Sequence, residues 1–203
     1  MYLEVSKTIK IVANYSISAE RKIVLQSLID YIKGKIENKQ EVRLNLICTH
    51  NSRRSHLSQI WAQTMAHHFN IQNVFCYSGG TEATAMFPKV PETLGKQGFK
   101  ILNLSATPNP VYAVKYDKNE PAVVCFSKTF DDDFNPNSQF AAIMTCSSAD
   151  EGCPFIAGAE VRLPIRYDDP KAFDGTDLMD AKYAERSLEI ASEMYYVFSK
   201  INK

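Results

Sequence analysis

The chain has 203 residues and a formal net charge of zero, with 45% hydrophobic and 23% charged residues. This length suits one domain of ordinary size, which can bury a core without the help of disulfides or metals. A neutral chain has no general electrostatic attraction for nucleic acid or for anionic membranes, so any preference for anions must be local.

The chain shows no signal for a membrane or for secretion. No apolar run approaches the roughly 18 residues of a membrane-spanning helix, and the first residues lack the apolar segment of a secretory signal. Five cysteines are an odd number, which fits a reducing compartment better than a framework of disulfides. We therefore expect a cytoplasmic protein whose thiols serve chemistry or packing, with neither nucleic acid nor membrane as a partner.

The N-terminal part of the chain predicts an amphipathic helix. Ser18 is a typical N-cap, and apolar residues recur at helical spacing among charged ones through residues 19–39. We expect residues 1–41 to form a helical extension that packs on the core of a domain formed by residues 42–203.

Strands and helices alternate through the rest of the sequence. Residues 42–48 alternate and then become apolar, as a strand entering a parallel sheet would, and residues 140–146 are the most apolar short run. This order predicts an α/β fold, an open parallel sheet flanked by helices, in which ligands bind beyond the carboxyl ends of the strands. Cys48 and Cys146 both lie at that edge. The other predicted elements are helices over 55–70, 91–98 and 180–200 and strands over 73–77, 111–115 and 122–127. A plain loop is the alternative for the last two strands.

A short polar loop stands between the strand 42–48 and the next helix. In such a loop successive backbone N–H groups turn inward, and the helix start adds about half a positive charge, so the loop can bind a tetrahedral oxyanion. Arg54 can contact two oxygens of that anion, and the same positive field favours the thiolate of Cys48 as a nucleophile. Asn51 and Ser55 can hold the loop, and the Ser55 hydroxyl can donate to the sulfur. A core thiol beside solvated arginines is the alternative interpretation.

The motif formed by Cys48, five residues, Arg54 and Ser55 resembles the active-site loop of a known family. This family comprises the low-molecular-weight protein tyrosine phosphatases and their relatives, the thioredoxin-coupled arsenate reductases. The resemblance covers about residues 42–200, and it implies that residues 42–203 form a catalytic domain of this type. It also implies an oxyanion-binding loop that consists of Thr49, His50, Asn51, Ser52, Arg53, Arg54 and Ser55.

Two loop positions depart from the family's pattern. His50 stands where glycine is usual, and a glycine there can serve an unusual backbone dihedral that a histidine would strain. Arg53 stands where a second cysteine is common. The stretch YSGGTEAT, residues 77–84, is similar to the family's second strand and turn, and it supports the fold more than an activity.

Two later cysteines, Cys146 and Cys153, are separated by six residues. A zinc site would need two more ligands at short spacing, which do not follow, so no metal is expected. Two unreactive thiols are an alternative. The pair is similar to the C-x6-C of the arsenate reductases, and this resemblance implies a relay from Cys48 through Cys146 to Cys153, where thioredoxin can reduce the final disulfide.

An acidic turn can supply a proton donor. In the family that this chain resembles, the general acid is the aspartate directly before a proline. The resemblance implies that this acid is Asp169 here, with Asp168 as its neighbour. Taken alone, an Asp-Asp-Pro sequence is equally typical of a plain turn. Lys171 and Ala172 stand where the tyrosine phosphatases typically have aromatic residues that flank phosphotyrosine, which favours a small inorganic substrate.

Three functions remain open from the sequence. The resemblance favours a thioredoxin-coupled arsenate reductase with weak phosphatase activity, which takes an arsenate or phosphate-type oxyanion, uses thioredoxin as its reductant and binds no cofactor. The first alternative is a phosphatase for phosphotyrosine or a small phosphoester, in which Cys146 and Cys153 protect Cys48 by reversible oxidation. The second is a non-catalytic oxyanion-binding or redox-sensing module, against which the intact Cys48, Arg54 and Asp169 argue.

Overall fold

A parallel sheet of four strands forms the centre of the protein. Its strands are β1 (Val42–Cys48), β2 (Val74–Gly80), β6 (Phe140–Met144) and β7 (Ala159–Pro164). They run in the order β2-β1-β6-β7, and every neighbouring pair is parallel. The computed structural model describes residues 1–152 and 155–201. It confirms the predicted open parallel sheet.

Six helices and one 3₁₀ turn accompany the strands in the described residues. They are α1 (Leu3–Val12), α2 (Ala19–Glu37), α3 (Arg54–His68), α4 (Lys89–Lys96), α5 (Ser147–Gly152), the 3₁₀ turn Pro170–Phe173 and α6 (Met179–Ser199). Ser18 caps α2 as predicted, because its side chain accepts a hydrogen bond from the Arg21 N–H (3.1 Å). None of the helices in this part of the chain has the length and apolar character to cross a membrane.

A second, antiparallel sheet contains three strands, β3 (Lys100–Asn103), β4 (Tyr112–Lys115) and β5 (Val123–Cys125). The sequence predicts β4 and β5 as strands but does not predict β3, which is mostly exposed and therefore lacks a buried pattern. Pairings such as Leu102 with Ala113 assign these strands to a sheet of their own. Periodicity along the chain does not reveal which strands pair.

Two elements of the C-terminal half differ from the prediction. The sequence predicts neither α5 nor β7. α5 has six residues, too few to show helical periodicity. β7 lies at the edge of the sheet, and Leu163 is its one buried residue, so it lacks the apolar run of a central strand.

The first two helices belong to the main hydrophobic core. Arg21 of α2 also forms an ion pair with Glu193 of α6, with Nε and Oε1 2.6 Å apart. The N-terminal segment thus shares one core with the sheet. Its fully buried apolar residues are Val5, Ile9, Val12, Leu25, Leu28, Ile29 and Ile32.

Two glutamines of α3 cover the outer edge of β2. The Gln63 amide donates to the Val74 carbonyl (3.0 Å) and accepts from the Cys76 N–H (3.0 Å). The Gln59 amide donates to the Cys76 carbonyl (3.0 Å). Residues four apart lie on one face of a helix, so the two amides follow the strand edge and satisfy backbone groups that another strand would otherwise bond.

The carboxyl ends of β1 and β6 lie side by side. Ile47 pairs with Met144, so the chain segments after these two strands leave the sheet at the same edge. This arrangement brings the loop after Cys48 close to Cys146.

Candidate active site

The loop 49–53 connects β1 to α3, and several of its carbonyl groups accept hydrogen bonds from neighbouring segments. Thr49 O accepts from the Glu82 N–H (2.8 Å), and Ser52 O accepts from the Phe87 N–H (3.0 Å). Among the described residues, the backbone N–H groups of the loop have no hydrogen-bond partner. A row of free amide donors at the start of a helix is suited to an oxyanion.

Gly80, at the end of β2, allows this strand to approach the loop closely. A Cβ atom at Gly80 would lie 2.7 Å from Asn51 N and 2.7 Å from Thr49 O, so a side chain does not fit there. The next residue, Thr81, donates its N–H to the Cys48 carbonyl (3.1 Å). Gly80 and Thr81 therefore pack directly against the loop.

The Cys48 thiol lies within hydrogen-bond distance of a hydroxyl group. Cys48 is 4% exposed, and its Sγ lies 3.1 Å from Ser55 Oγ. The Asn51 amide donates to the same Ser55 oxygen (2.8 Å). Because this oxygen accepts from Asn51, the Ser55 hydrogen is free to point at the sulfur, where it stabilises a thiolate.

The left-handed backbone of the loop lies at Asn51 and not at His50. Asn51 has a φ of 44°, and asparagine adopts this region more readily than most residues. The Lys128 N–H donates to Asn51 Oδ1 (3.0 Å) and holds the side chain. His50 does not have a positive φ, so the strain expected for a histidine at this position does not arise.

Arg54 bonds to the acidic turn beside the loop. Its Nη1 donates to the Tyr167 carbonyl (2.9 Å), and its Nη2 donates to Asp169 Oδ2 (2.5 Å). The other oxygen of Asp169 accepts from the Lys171 N–H (3.0 Å) and caps the 3₁₀ turn. The predicted anion-binding arginine and the predicted acid are thus neighbours.

The side chains of Arg53 and Asp168 form no hydrogen bond or ion pair with Cys48 or Arg54. The Arg53 guanidinium bonds to Asp174 and Tyr183, so only the backbone of this residue contributes to the inner side of the loop. The Asp168 side chain is 97% exposed and lies 3.5 Å from Arg186. Of the two aspartates before the proline, Asp169 is the one that contacts Arg54.

The thiol of Cys146 lies beside the loop. Cys146 follows β6 and is 1% exposed. Its Sγ is 3.4 Å from Thr49 Oγ1 and accepts from the Ala149 N–H (3.4 Å). Because Thr49 follows Cys48 directly, Cys146 is close to the candidate nucleophile. The predicted third cysteine, Cys153, lies outside the described residues.

The remaining described cysteines are core residues, and the described residues contain no arrangement suited to a metal ion. Burial raises the pKa of Cys76, and it raises the pKa of Cys125 to about 12, so both remain neutral thiols in the core. Within residues 1–152 and 155–201, no group of three His, Cys, Asp or Glu side chains is arranged to hold a metal ion.

Two buried titratable residues near the loop carry no signal in the sequence. His56 Nδ1 lies 3.2 Å from Ser78 Oγ, and burial lowers the pKa of His56 to about 3. Burial also lowers the pKa of Lys128 to about 8, and its ammonium lies 4.4 Å from the ring centroid of Phe126. The sequence pattern does not predict that either residue is buried. Their burial depends on packing between segments that are distant in the chain.

Comparison with known proteins gives matches among solved structures. No protein-family model and no curated protein sequence matches this chain. A low-molecular-weight phosphotyrosine phosphatase from Vibrio cholerae O395 is 14% identical, with a TM-score of 0.51 over 78% of this chain and 94% of that chain. A mutant of YwlE from Bacillus subtilis is 12% identical, with a TM-score of 0.50 over 80% of this chain and 100% of that chain.

An arsenate reductase from Archaeoglobus fulgidus DSM 4304 is 18% identical, with a TM-score of 0.47 over 77% of this chain and 98% of that chain. At identities this low a likeness concerns the backbone. The likeness to the Vibrio cholerae phosphatase, with its TM-score of 0.51, therefore concerns the fold alone. The chain therefore has the fold of the low-molecular-weight phosphotyrosine phosphatases.

Proposed function

We propose that this protein is a cytoplasmic arsenate reductase that works through a thiol relay, with thioredoxin as its reductant. The observation that carries the proposal is the position of the Cys146 thiol, which contacts Thr49, the neighbour of Cys48. Hydrolysis of a phosphoester needs one thiol, whereas reduction of arsenate needs two electrons from a pair of thiols. A second thiol beside the loop therefore favours reduction.

Oxyanion binding uses the free N–H groups of the loop together with Arg54. Arg54 has five N–H donors, and its bonds to Tyr167 and Asp169 leave three for the anion. The Cys48 thiolate attacks the arsenic atom. Asp169, when protonated, gives its proton to the departing hydroxyl, which leaves as water, and a bond between Cys48 and arsenic remains.

The relay then transfers two electrons to arsenic. The Cys146 thiolate attacks Cys48 Sγ, a disulfide forms, and arsenic leaves with the electron pair of the broken sulfur–arsenic bond as arsenite. The Cys153 thiolate attacks Cys146 Sγ and releases Cys48 as a thiolate. A dithiol reduces the disulfide between Cys146 and Cys153 by the same exchange, and we assign this step to thioredoxin.

A phosphatase is the second candidate. The likeness to the phosphotyrosine phosphatase from Vibrio cholerae favours it. Cys48, Arg54 and Asp169 would then cleave a phosphoester, and Cys146 and Cys153 would protect Cys48 by reversible oxidation. Lys171, in place of an aromatic residue after the proline, favours a small ester over phosphotyrosine.

Two assays run side by side test the proposal. The first measures arsenate-dependent oxidation of NADPH with thioredoxin and thioredoxin reductase, and the second measures hydrolysis of 4-nitrophenyl phosphate. We expect the wild type to turn over in both. Cys153→Ser should abolish multiple-turnover reduction and retain ester hydrolysis, because hydrolysis requires only Cys48, Arg54 and Asp169.

A matched control is Cys76→Ala, which removes a buried core thiol and should retain both activities. Ester hydrolysis without arsenate turnover in the wild type would exclude the reductase and leave the phosphatase. Inactivity in both assays, with binding of inorganic phosphate preserved, would leave a non-catalytic oxyanion-binding module.

A further inference from the structure

Two consecutive arginines hold the two ends of one short turn. The 3₁₀ turn Pro170–Phe173 is capped at its start by Asp169 and followed at its end by Asp174. Arg54 bonds to Asp169, and Arg53 bonds to Asp174. The turn that carries the candidate acid is therefore attached at two points to the oxyanion loop.

The contacts of Arg53 form a closed network. Its Nε donates to the Tyr183 hydroxyl (2.5 Å), and its Nη2 donates to Asp174 Oδ2 (2.5 Å). The Tyr183 hydroxyl donates to Asp174 Oδ1 (2.6 Å). Burial and the bond to Asp174 raise the pKa of Tyr183, so the hydroxyl keeps the hydrogen that it donates. The guanidinium also lies 4.1 Å from the ring centroid of Phe87.

Arg54 by itself does not hold the turn through a reaction. A bound oxyanion competes with Asp169 for the positive charge of Arg54. Asp169 must also be protonated to act as an acid, and a neutral carboxyl loses its ionic attraction to the guanidinium. Asp174 and Tyr183 take part neither in anion binding nor in the proton transfer. The attachment of the turn through Arg53 therefore persists.

We propose that Arg53, together with Asp174 and Tyr183, is a positioning residue that keeps Asp169 against the oxyanion loop during proton transfer. Its catalytic consequence rests on the proposed function. Departing groups of low acidity need a proton from Asp169, whereas strongly acidic ones leave without it. Arg53 thus supports substrates whose departing oxygen must be protonated, such as arsenate and esters of weakly acidic alcohols.

Two phosphate esters distinguish positioning from general damage to the site. Arg53→Met keeps an apolar contact with Phe87 and removes the hydrogen bonds. We expect kcat/KM to fall about tenfold or more for phenyl phosphate and about threefold at most for 2,4-dinitrophenyl phosphate. Arg53→Lys should recover part of the loss. An equal fall for both esters would overturn the proposal, because a merely structural role affects them alike.

Three further variants serve as references. In an Asp169→Asn background, Arg53→Met should leave the ratio of the two esters nearly unchanged, because the acid is already absent. Arg43→Met is the matched control, since this arginine pairs with Glu41 at the opposite end of β1, and its ratio should equal that of the wild type. Tyr183→Phe removes a single hydroxyl and should shift the ratio in the same direction even if Arg53→Met fails to fold.

Hydrogen exchange measures the attachment without relying on activity. The Asp174 N–H donates to Lys171 O (3.0 Å), and we expect it to exchange severalfold faster in Arg53→Met than in the wild type. Unchanged exchange across residues 167–176 would overturn the proposal. If the wild type neither reduces arsenate nor hydrolyses either ester, the proposed function fails, and faster exchange in Arg53→Met still supports the attachment.

Discussion

His56, in the first turn of α3, is fully enclosed by protein. Burial is the main cause that lowers its pKa to about 3, and the ammonium of Lys128 is the second. In an unfolded chain a histidine has a pKa of about 6.5. Between these two values the unfolded chain therefore binds a proton that the folded protein does not bind.

This difference predicts a loss of stability in acid. As the pH falls from about 6.5 to about 3, His56 should lower the free energy of unfolding by on the order of 5 kcal/mol. Urea unfolding at several pH values measures the effect. His56→Gln should show a flatter pH dependence than the wild type, because it removes the buried imidazole. Equal slopes for wild type and His56→Gln would contradict the prediction.

At the scale of elements, side chains of α3 close the outer edge of β2 at Val74 and Cys76, whereas the backbone of Lys128 and Phe130 bonds to Gly80 at its end. Gln63 bonds to both the carbonyl of Val74 and the N–H of Cys76, which replaces two bonds of a strand ladder. An uncovered edge presents unpaired backbone groups that can pair with another chain. Gln59 and Gln63 lie four positions apart on α3, so both amides reach this edge and block its pairing with another chain.

Gln63→Met should weaken this edge. It leaves a buried carbonyl and a buried N–H without partners, and we expect the free energy of unfolding to fall by about 1–3 kcal/mol. Urea unfolding measures the loss, and light scattering measures the association that an open edge favours. Gln26→Met is the matched control, because Gln26 bonds to Asp30 on the exposed face of α2. Equal stability of Gln63→Met and Gln26→Met would show that the Gln63 hydrogen bonds to β2 do not stabilise the protein.

At the scale of the whole molecule, we propose that residues 1–41 are an extension of the core rather than a unit that folds by itself. α1 and α2 bury apolar residues in the same cluster as the single tryptophan, Trp61 of α3. A mutation in α2 should therefore change the unfolding of α3 as well.

Leu28→Ala tests this coupling. Removing a fully buried leucine should cost about 2–5 kcal/mol, and the denaturant midpoint measured by Trp61 fluorescence should fall by the same amount as the midpoint measured by circular dichroism. Ile23→Ala, at an exposed position of the same helix, should leave both midpoints nearly unchanged. A Trp61 transition that does not shift in Leu28→Ala would show that α2 unfolds independently.

The predicted elements show which features depend on short segments. The Ser18 cap, the strand 42–48 and the helix that follows it all agree with the structure, because capping and periodicity act over a few neighbouring residues. The edge strand β7 and the pairing of β3 with β4 were not predicted. Both depend on which distant segments meet, and the local pattern of polar and apolar residues does not encode that choice.

The sequence by itself determined the fold class and the chemical groups of the candidate site, since residue type decides what a thiol, a guanidinium or a carboxyl can do. Only the tertiary structure decided that Cys146 lies beside Thr49, that Arg54 bonds to Asp169 and that Arg53 bonds to Asp174. These partners are 97, 115 and 121 positions apart in the chain. Contacts at such separations form only when the whole core packs, so their geometry belongs to the folded molecule and not to any local stretch of sequence.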